Sequence, residues 1–386
     1  MAMIKLFPRY SSNSLERLRS ATGSLNRVQS SQQQLHHDDA AGTPSRPRSA
    51  SALSGPVSRR LIHSPAAPNQ PAGPQLPRRV FVARHGERVD FTFGTWIPFC
   101  FDEKGNYSQK DLNMPTNVPR RAAGPEGFAL DCPLTRMGIT QARMVGEGLR
   151  RKEVSFSHVY SSPSLRCVQT CHNILVGLGQ QHQLKIKVEP GLFEWLMWYM
   201  NGVPDWMRPE ELLAAGHNVE LNYKPYISAE ELQNTLRETP EDYYTRNFFV
   251  TQCVLQATED KNIGGGSGGN VLLVGHAATL DACTRQLTGR PPPLSTQEMM
   301  TVVRKVPYCS VAVAEEHRDV VPQSAATGTS ASRKSSLSHH SMMSSASSSS
   351  AAAAVVKSTW KMVEPPIPPL THCSNDSFNW NILCGN

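Results

Sequence analysis

His85 stands in Arg84-His85-Gly86-Glu87-Arg88, directly after the apolar run Val80-Phe81-Val82-Ala83, and His276 stands directly after Val271-Leu272-Leu273-Val274-Gly275. Each pattern reads as a buried strand ending in a polar turn, a common place for an α/β protein to put its chemistry. A neutral imidazole is a competent nucleophile near pH 7. Flanked by two arginines it suits attack on phosphorus, because a phosphomonoester carries close to two negative charges and the planar guanidinium fork donates two parallel bonds to its oxygens. A third arginine, Arg166, closes the stretch Ser161-Ser162-Pro163-Ser164-Leu165-Arg166, in the first turn of a predicted helix that follows a strand. Helix N-termini favour phosphate in their own right. His276 is expected to donate an N–H to the same phosphate.

Departure of the leaving oxygen needs a proton. Glu194, in Leu192-Phe193-Glu194-Trp195-Leu196, is the candidate acid, since its apolar neighbours would desolvate the carboxyl and keep it protonated. The same group would then act as base on the hydrolytic water. Asp131, beside Pro133-Leu134-Thr135, is a weaker candidate for that role. The scheme requires no metal and no cofactor, and the chain has neither a DxD pair nor an HExxH motif. Taken singly, His276 reads as a core histidine, Arg166 as a surface arginine and Glu194 as a solvated acid. RHGER after a four-residue apolar strand is what gives the others weight. No cysteine is followed six positions later by arginine, so the thiolate phosphatase loop is absent, and the glycine run 264–269 lacks the Lys-Ser/Thr of a nucleotide P-loop and reads as a linker.

The elements that must position these groups follow from periodicity. After the strand at 80–83, residues 90–133 form a long Pro- and Gly-rich stretch read as a lid or pocket wall. Thr135 caps a helix carrying Met137, Ala142, Val145 and Leu149. A short strand at 158–160 leads through Ser161-Ser162-Pro163, read as a cap, into a helix striped by Leu165, Val168, Cys171, Leu175 and Leu178. Further strands are expected at 185–188, 271–274, 308–314 and 360–363, with helices at 241–257 and at 277–287, the latter ending at Gly289. Such alternation implies a mainly parallel sheet covered on both faces. The aromatic group Trp195, Trp198, Tyr199 and Trp206 reads as core, with part of it a candidate wall for a ring-shaped ligand.

The 386 residues divide unevenly. Residues 1–77 are rich in Ser, Pro, Gln and Arg and read as a disordered basic tail, with a mitochondrial transit peptide as the alternative. Residues 78–320 plus 357–386 form the expected folded domain, interrupted by a disordered Ser/Ala-rich insertion at 321–356. Eleven Lys and Arg against three acids in residues 1–79 account for the +7 net charge, which leaves the rest near neutral. The basic character therefore does not argue for nucleic-acid binding by the domain. The nine cysteines are odd in number and lack a CxxC pair, and no secretory h-region or membrane-length apolar run is present, so a cytoplasmic protein with reduced thiols and no membrane contact is expected.

RHGER, SSPSLR, FEW and VGHA in this order resemble the histidine phosphatase (phosphoglycerate mutase-like) superfamily. The longer stretches RHGERVDFTFG, YSSPSLRCVQT, EPGLFEW and PPIPPLTH resemble the TULA phosphatase domain (suppressors of T-cell receptor signalling) and, equally, insect ecdysteroid-phosphate phosphatase. The resemblance covers about 78–380 outside the Ser/Ala insertion. It implies a three-layer α/β/α sandwich, His85 as the phosphorylated nucleophile, phosphate binding by Arg84, Arg88, Arg166 and His276, Glu194 as acid/base, and a homodimer. The implied substrate is a bulky phosphomonoester, either an ecdysteroid phosphate or a phosphotyrosyl protein. A phosphoglycerate mutase-type phosphotransferase and a weakly active phospho-ligand-binding module are the alternatives. TULA proteins carry ubiquitin-binding and SH3 domains ahead of the phosphatase domain, and residues 1–77 are too short and polar for either, which favours a single-domain, steroid-phosphate-like arrangement.

Overall fold

In a computed structural model, the structure describes residues 77–259, 269–321 and 355–370. Its centre is a six-stranded sheet in the order β3-β2-β4-β1-β5-β6. The strands are β1 (Arg79–Arg84), β2 (His158–Ser161), β3 (Ile186–Val188), β4 (Val271–Gly275), β5 (Val311–Val321) and β6 (Val355–Val363). β1, β2, β3 and β4 run parallel, whereas β5 is antiparallel to β1 and β6 to β5. The sheet is thus mainly parallel, with an antiparallel hairpin at one edge.

Alternation along β1 sorts the core into two faces. Phe81 and Ala83, with Val159, Leu272 and Val274, pack under α3 (Arg136–Arg151) and α4 (Leu165–Leu178). Val80 and Val82, with Tyr160, Val271 and Leu273, pack under α7 (Pro240–Ala257) and α8 (Thr279–Thr284), the short helices α5 (Pro209–Ala214) and α6 (Ala229–Gln233) lying between β3 and α7 in the chain. Helices on both faces of one sheet make the expected three-layer sandwich. The stripe Leu165, Val168, Cys171, Leu175 and Leu178 is buried throughout. On α3 the buried positions include Ala142, Val145 and Leu149, whereas Met137 lies on the outer side. α3 and α4 approach closely at Gly146, where an added Cβ would lie 2.1 Å from the carbonyl oxygen of Ile174.

Several boundaries differ from the sequence expectation. The stretch 90–133 is not wholly irregular: it holds α1 (Val89–Phe93), α2 (Ile97–Cys100) and a 3-10 turn at Pro125–Phe128, because Trp96, Cys100, Met114 and Phe128 build a local extension of the core. The helix expected at 277–287 is regular only over Thr279–Thr284 and continues as turns to Gly289, whose φ of 82° ends it. Val321 pairs with Val355 and Val320 with Val356, so both ends of the expected insertion are strand residues. The tail 1–76, the residues 322–354 and most of the glycine run lie outside the described residues, as does the C-terminal end from 371.

The topology opens a crevice. The helix that follows β1 packs on one face of the sheet, and the helix that follows β4 packs on the other, although the two strands are neighbours. Ligands of open α/β sheets sit outside the carboxyl ends of strands at such a switch point.

Candidate active site

Two strand ends bring the histidines together. His85 follows β1 and its amide donates to Gly275 O at the end of β4 (2.9 Å), while His276 is the next residue of that strand's own chain. The two rings lie 5.5 Å apart between centroids. β2 contributes the third strand end, where Ser162 N donates to Val274 O (2.9 Å) and Ser162 Oγ meets Nε2 of His276 (2.9 Å).

The turn after β1 is held by packing as well as by hydrogen bonds. Thr135 accepts from Gly138 N, as the expected cap of α3, and its hydroxyl donates to Oε1 of Glu87 (2.8 Å). Asn113 Nδ2 donates to the same oxygen (2.9 Å). Gly138 has no room for a side chain, since a Cβ there would lie 2.3 Å from Glu87 O. Glu87 therefore fastens the RHGER turn to the start of α3.

His85 is 2% exposed, and its Nδ1 lies 2.8 Å from the carbonyl oxygen of Gly86. A carbonyl can only accept, so this contact places the proton on Nδ1 and leaves the Nε2 lone pair free. Burial, followed by the charges of Arg166 and Arg84, holds the ring well below its ordinary value and hence neutral near pH 7. His276 is held neutral by the same causes, burial first. Its Nε2 is turned to Ser162, so Nδ1 is the nitrogen that faces Arg166 Nη2 (3.3 Å) and Glu194 Oε2 (3.6 Å).

The arginines are set differently from one another. Arg166, the second residue of α4, is fully buried; Nη2 donates to Glu194 Oε1, while Nε and Nη1 are buried without a hydrogen-bond partner among the described residues. Arg84 donates through Nη1 to Val306 O and lies 4.3 Å over the Tyr308 ring, with its Nε again unpartnered. Arg88 spends two donors on Asp90, Nε to Oδ1 and Nη2 to Oδ2, both at 2.6 Å. Buried guanidinium donors without acceptors are costly unless an anion meets them. Two of these arginines keep such donors beside His85.

Glu194 departs from the expected environment. Leu192, Phe193 and Leu196 are buried in the core, yet the carboxyl itself is held by Arg166 and by the Tyr199 hydroxyl, which donates to Oε1 at 2.5 Å. An ionic and hydrogen-bonded setting thus replaces the apolar one. The backbone around it is clamped by Arg246 of α7, which pairs bidentately with Glu238 (2.6 and 2.9 Å) and donates to Gly191 O (2.7 Å) and Phe193 O (3.0 Å). Asp131 is not part of this group. Its carboxylate pairs with Arg121 (2.8 Å) and accepts from Leu165 N (2.7 Å), so it caps α4 from a distant loop. The cap expected of Ser161-Ser162-Pro163 is absent, since α4 begins at Leu165 and Ser164 makes no side-chain cap.

A cleft of about 470 Å³ opens over these residues. Arg84, His85, Arg88 and Glu194 line its floor, and Phe91, Leu130, Trp198, Tyr199, Met300 and Val303 line its sides, with Arg304 among the lining residues. The aromatic group is therefore divided. Trp195 is core, Trp198 and Tyr199 are cleft wall, and Trp206 packs on Phe193 (4.8 Å between ring centroids). Residues 90 and 91, 129 and 130 come from the long stretch after β1, which forms a pocket wall. Asp90 and Ser162 reach the site without having been singled out from the sequence as site residues, and Tyr199, expected at most as pocket wall, also holds Glu194. Asp90 carries one signal, its place two residues after Arg88.

Three comparisons bear on this arrangement. The family model described as histidine phosphatase superfamily (branch 1) matches residues 120–319. The ecdysteroid-phosphate phosphatase of Drosophila melanogaster is 44% identical over 306 residues, 79% of this chain and 34% of that protein. The ubiquitin-associated and SH3 domain-containing protein B of Homo sapiens is 39% identical over 325 residues, 83% of this chain and 43% of that protein. A crystal structure of the ecdysone phosphate phosphatase from Bombyx mori in complex with tungstate superposes with a TM-score of 0.59 at 36% identity, covering 79% of this chain and 99% of that one. The chain spans about a third to under half the length of these curated relatives, insect and mammalian alike. Length therefore does not separate the two branches, contrary to the expectation drawn from residues 1–77.

Proposed function

Since the chain belongs to the histidine phosphatase superfamily (branch 1), we propose that it is a phosphomonoester hydrolase working through a phosphohistidine. The observation that carries this reading is a neutral His85, its Nδ1 tied to Gly86 O, beside the unpartnered buried donors of Arg166 and Arg84. Nε2 of His85 attacks phosphorus, forming the N–P bond as the P–O bond to the leaving group breaks. The leaving oxygen takes its proton from Glu194. Water then attacks phosphorus, gives its proton to the Glu194 carboxylate, and the N–P bond breaks to release phosphate. The guanidinium groups of Arg84, Arg88 and Arg166, together with the His276 ring, meet the equatorial oxygens as charge develops. No step is routed through a metal.

The substrate class follows from the walls. Phe91, Leu130, Trp198, Met300 and Val303 present an apolar surface above an ionic floor, which suits a bulky apolar leaving group such as a steroid. The Bombyx mori relative, named for ecdysone phosphate, carries tungstate, a tetrahedral oxyanion like phosphate. A phosphotyrosyl protein is the second reading, favoured by the exposed Arg304 among the lining residues, which would suit acidic residues next to the phosphotyrosine.

The test is kcat/KM in the presence of EDTA for an ecdysteroid phosphate against a phosphotyrosyl peptide, with His85→Ala as control. A steroid preference abolished by His85→Ala is expected. A peptide preference would establish the second reading. Turnover that survives His85→Ala, or phosphate transfer between phosphoglycerates, would overturn the mechanism or the reaction class. Tight phosphopeptide binding without turnover would make the domain a binding module.

A further inference from the structure

Glu194 has two unequal oxygens. Oε1 accepts from Arg166 Nη2 and from the Tyr199 hydroxyl, which is 2.5 Å away. Oε2 accepts no hydrogen bond among the described residues and lies 3.6 Å from Nδ1 of His276. Tyr199 also lines the cleft, next to Trp198 on the wall, and its ring packs on Phe193 with 4.9 Å between centroids. Phe193 in turn lies edge-on to the His276 ring at 5.5 Å. The hydroxyl is thus fixed from behind by packing and aimed at one carboxylate oxygen.

A carboxylic acid that must give up a proton and recover it needs one oxygen free for the substrate. Two donors on Oε1 make protonation there unfavourable, because both would have to be displaced or left unpaired in a buried setting. Oε2 is then the oxygen that carries the proton. We infer that Tyr199 is a positioning residue for proton transfer, which by holding Oε1 of Glu194 presents Oε2 to the leaving oxygen and afterwards to the hydrolytic water. This rests on the acid/base reading of Glu194 given above. In the first step the O–H bond at Oε2 breaks and an O–H bond to the leaving group forms; in the second, Oε2 recovers a proton from water as the new P–O bond forms. Arg166 would couple the two halves of the site, since the guanidinium that binds Oε1 keeps Nε and Nη1 for the phosphate oxygens.

The experiment compares two esters in each variant. 4-Nitrophenolate leaves without a proton, whereas an alkoxide does not, so loss of proton delivery falls on the alkyl ester. In Tyr199→Phe, which keeps the ring on Phe193, kcat/KM for an alkyl phosphomonoester is expected to fall about tenfold and that for 4-nitrophenyl phosphate less than about twofold. Glu194→Gln should show the same selectivity with a larger loss, about a hundredfold on the alkyl ester. The double variant should match Glu194→Gln within about twofold, because one group acts through the other. The ratio between esters is taken within one variant and does not depend on how much of it is folded. Equal losses on both esters in Tyr199→Phe, or losses that add to those of Glu194→Gln, would overturn the role of Tyr199 while leaving Glu194 as the acid. A Glu194→Gln variant without ester selectivity would instead overturn the acid itself, and the role of Tyr199 with it.

Discussion

Arg166 binds Glu194 through one nitrogen and keeps its other two, Nε and Nη1, buried without a hydrogen-bond partner among the described residues. One guanidinium therefore connects the acid to the phosphate site. Arg166→Lys keeps the charge but not the fork, and an ammonium cannot span both partners. The expected result is a loss of kcat of about a hundredfold or more, with KM changed far less, as for removal of a preorganised transition-state donor. Steady-state kinetics on a single ester checks this, and near-wild-type kcat would show that charge alone suffices.

Arg246 is expected to behave as a structural clamp. It is 4% exposed, pairs with Glu238, and ties down the carbonyls of Gly191 and Phe193. Arg246→Met leaves the Glu238 carboxylate buried without its partner, which costs about 3–5 kcal/mol. Urea denaturation should show that loss, and the further change Glu238→Leu should recover a large part of it, because replacing both partners removes the uncompensated charge.

Stability should decline on the acid side through histidine. Burial lowers His217 to about 4 from its ordinary 6.5, with the neighbouring His172 adding to the shift. The folded form then binds fewer protons than the unfolded one across that interval. By linkage the contribution is fully present above about pH 6.5 and is lost as pH falls towards 4. His85 and His276 add to it with the same sign, since burial and nearby cations lower both. Denaturation midpoints measured from pH 7 to pH 4 should fall, and His217→Asn should flatten the slope; an unchanged slope would refute the assignment to His217.

Gly146→Ala should destabilise although alanine is the better helix former. The added Cβ would lie 2.1 Å from Ile174 O, so α3 and α4 would have to separate. A cost of about 1–3 kcal/mol is expected, against roughly 1 kcal/mol gained from propensity. Thermal unfolding of this variant beside Gly148→Ala, where the nearest atom is Cγ2 of the Ile367 side chain at 3.2 Å and not backbone, separates the helix contact from a general intolerance.

Strand ends and basic residues were the most legible parts of the site. VFVA and VLLVG are buried on both faces and therefore read as continuous apolar runs, which place His85 and His276 one residue past each strand. Arg166 follows from its place in the first turn of α4. Arg246 is a different matter, since on α7 it reads as one more surface cation, while the carbonyls it ties down lie more than fifty residues earlier. The setting of Glu194 was not readable from its neighbours either. Between Pro190 and Tyr199 the chain alternates 3-10 turns with extended residues, so no helical or strand period tells which way each side chain points. Asp131 illustrates the reverse, a carboxylate close in sequence to promising residues that the fold uses to cap a helix.

The carbonyl of Gly86 keeps the proton of His85 on Nδ1. The group that decides which nitrogen attacks belongs to the Gly86–Glu87 peptide bond, one residue beyond the histidine. It is present in every variant that keeps this turn, whatever its side chains. Mutations elsewhere can weaken the nucleophile, starve it of phosphate or strand its leaving group, but the identity of the reacting atom is inherited with the backbone.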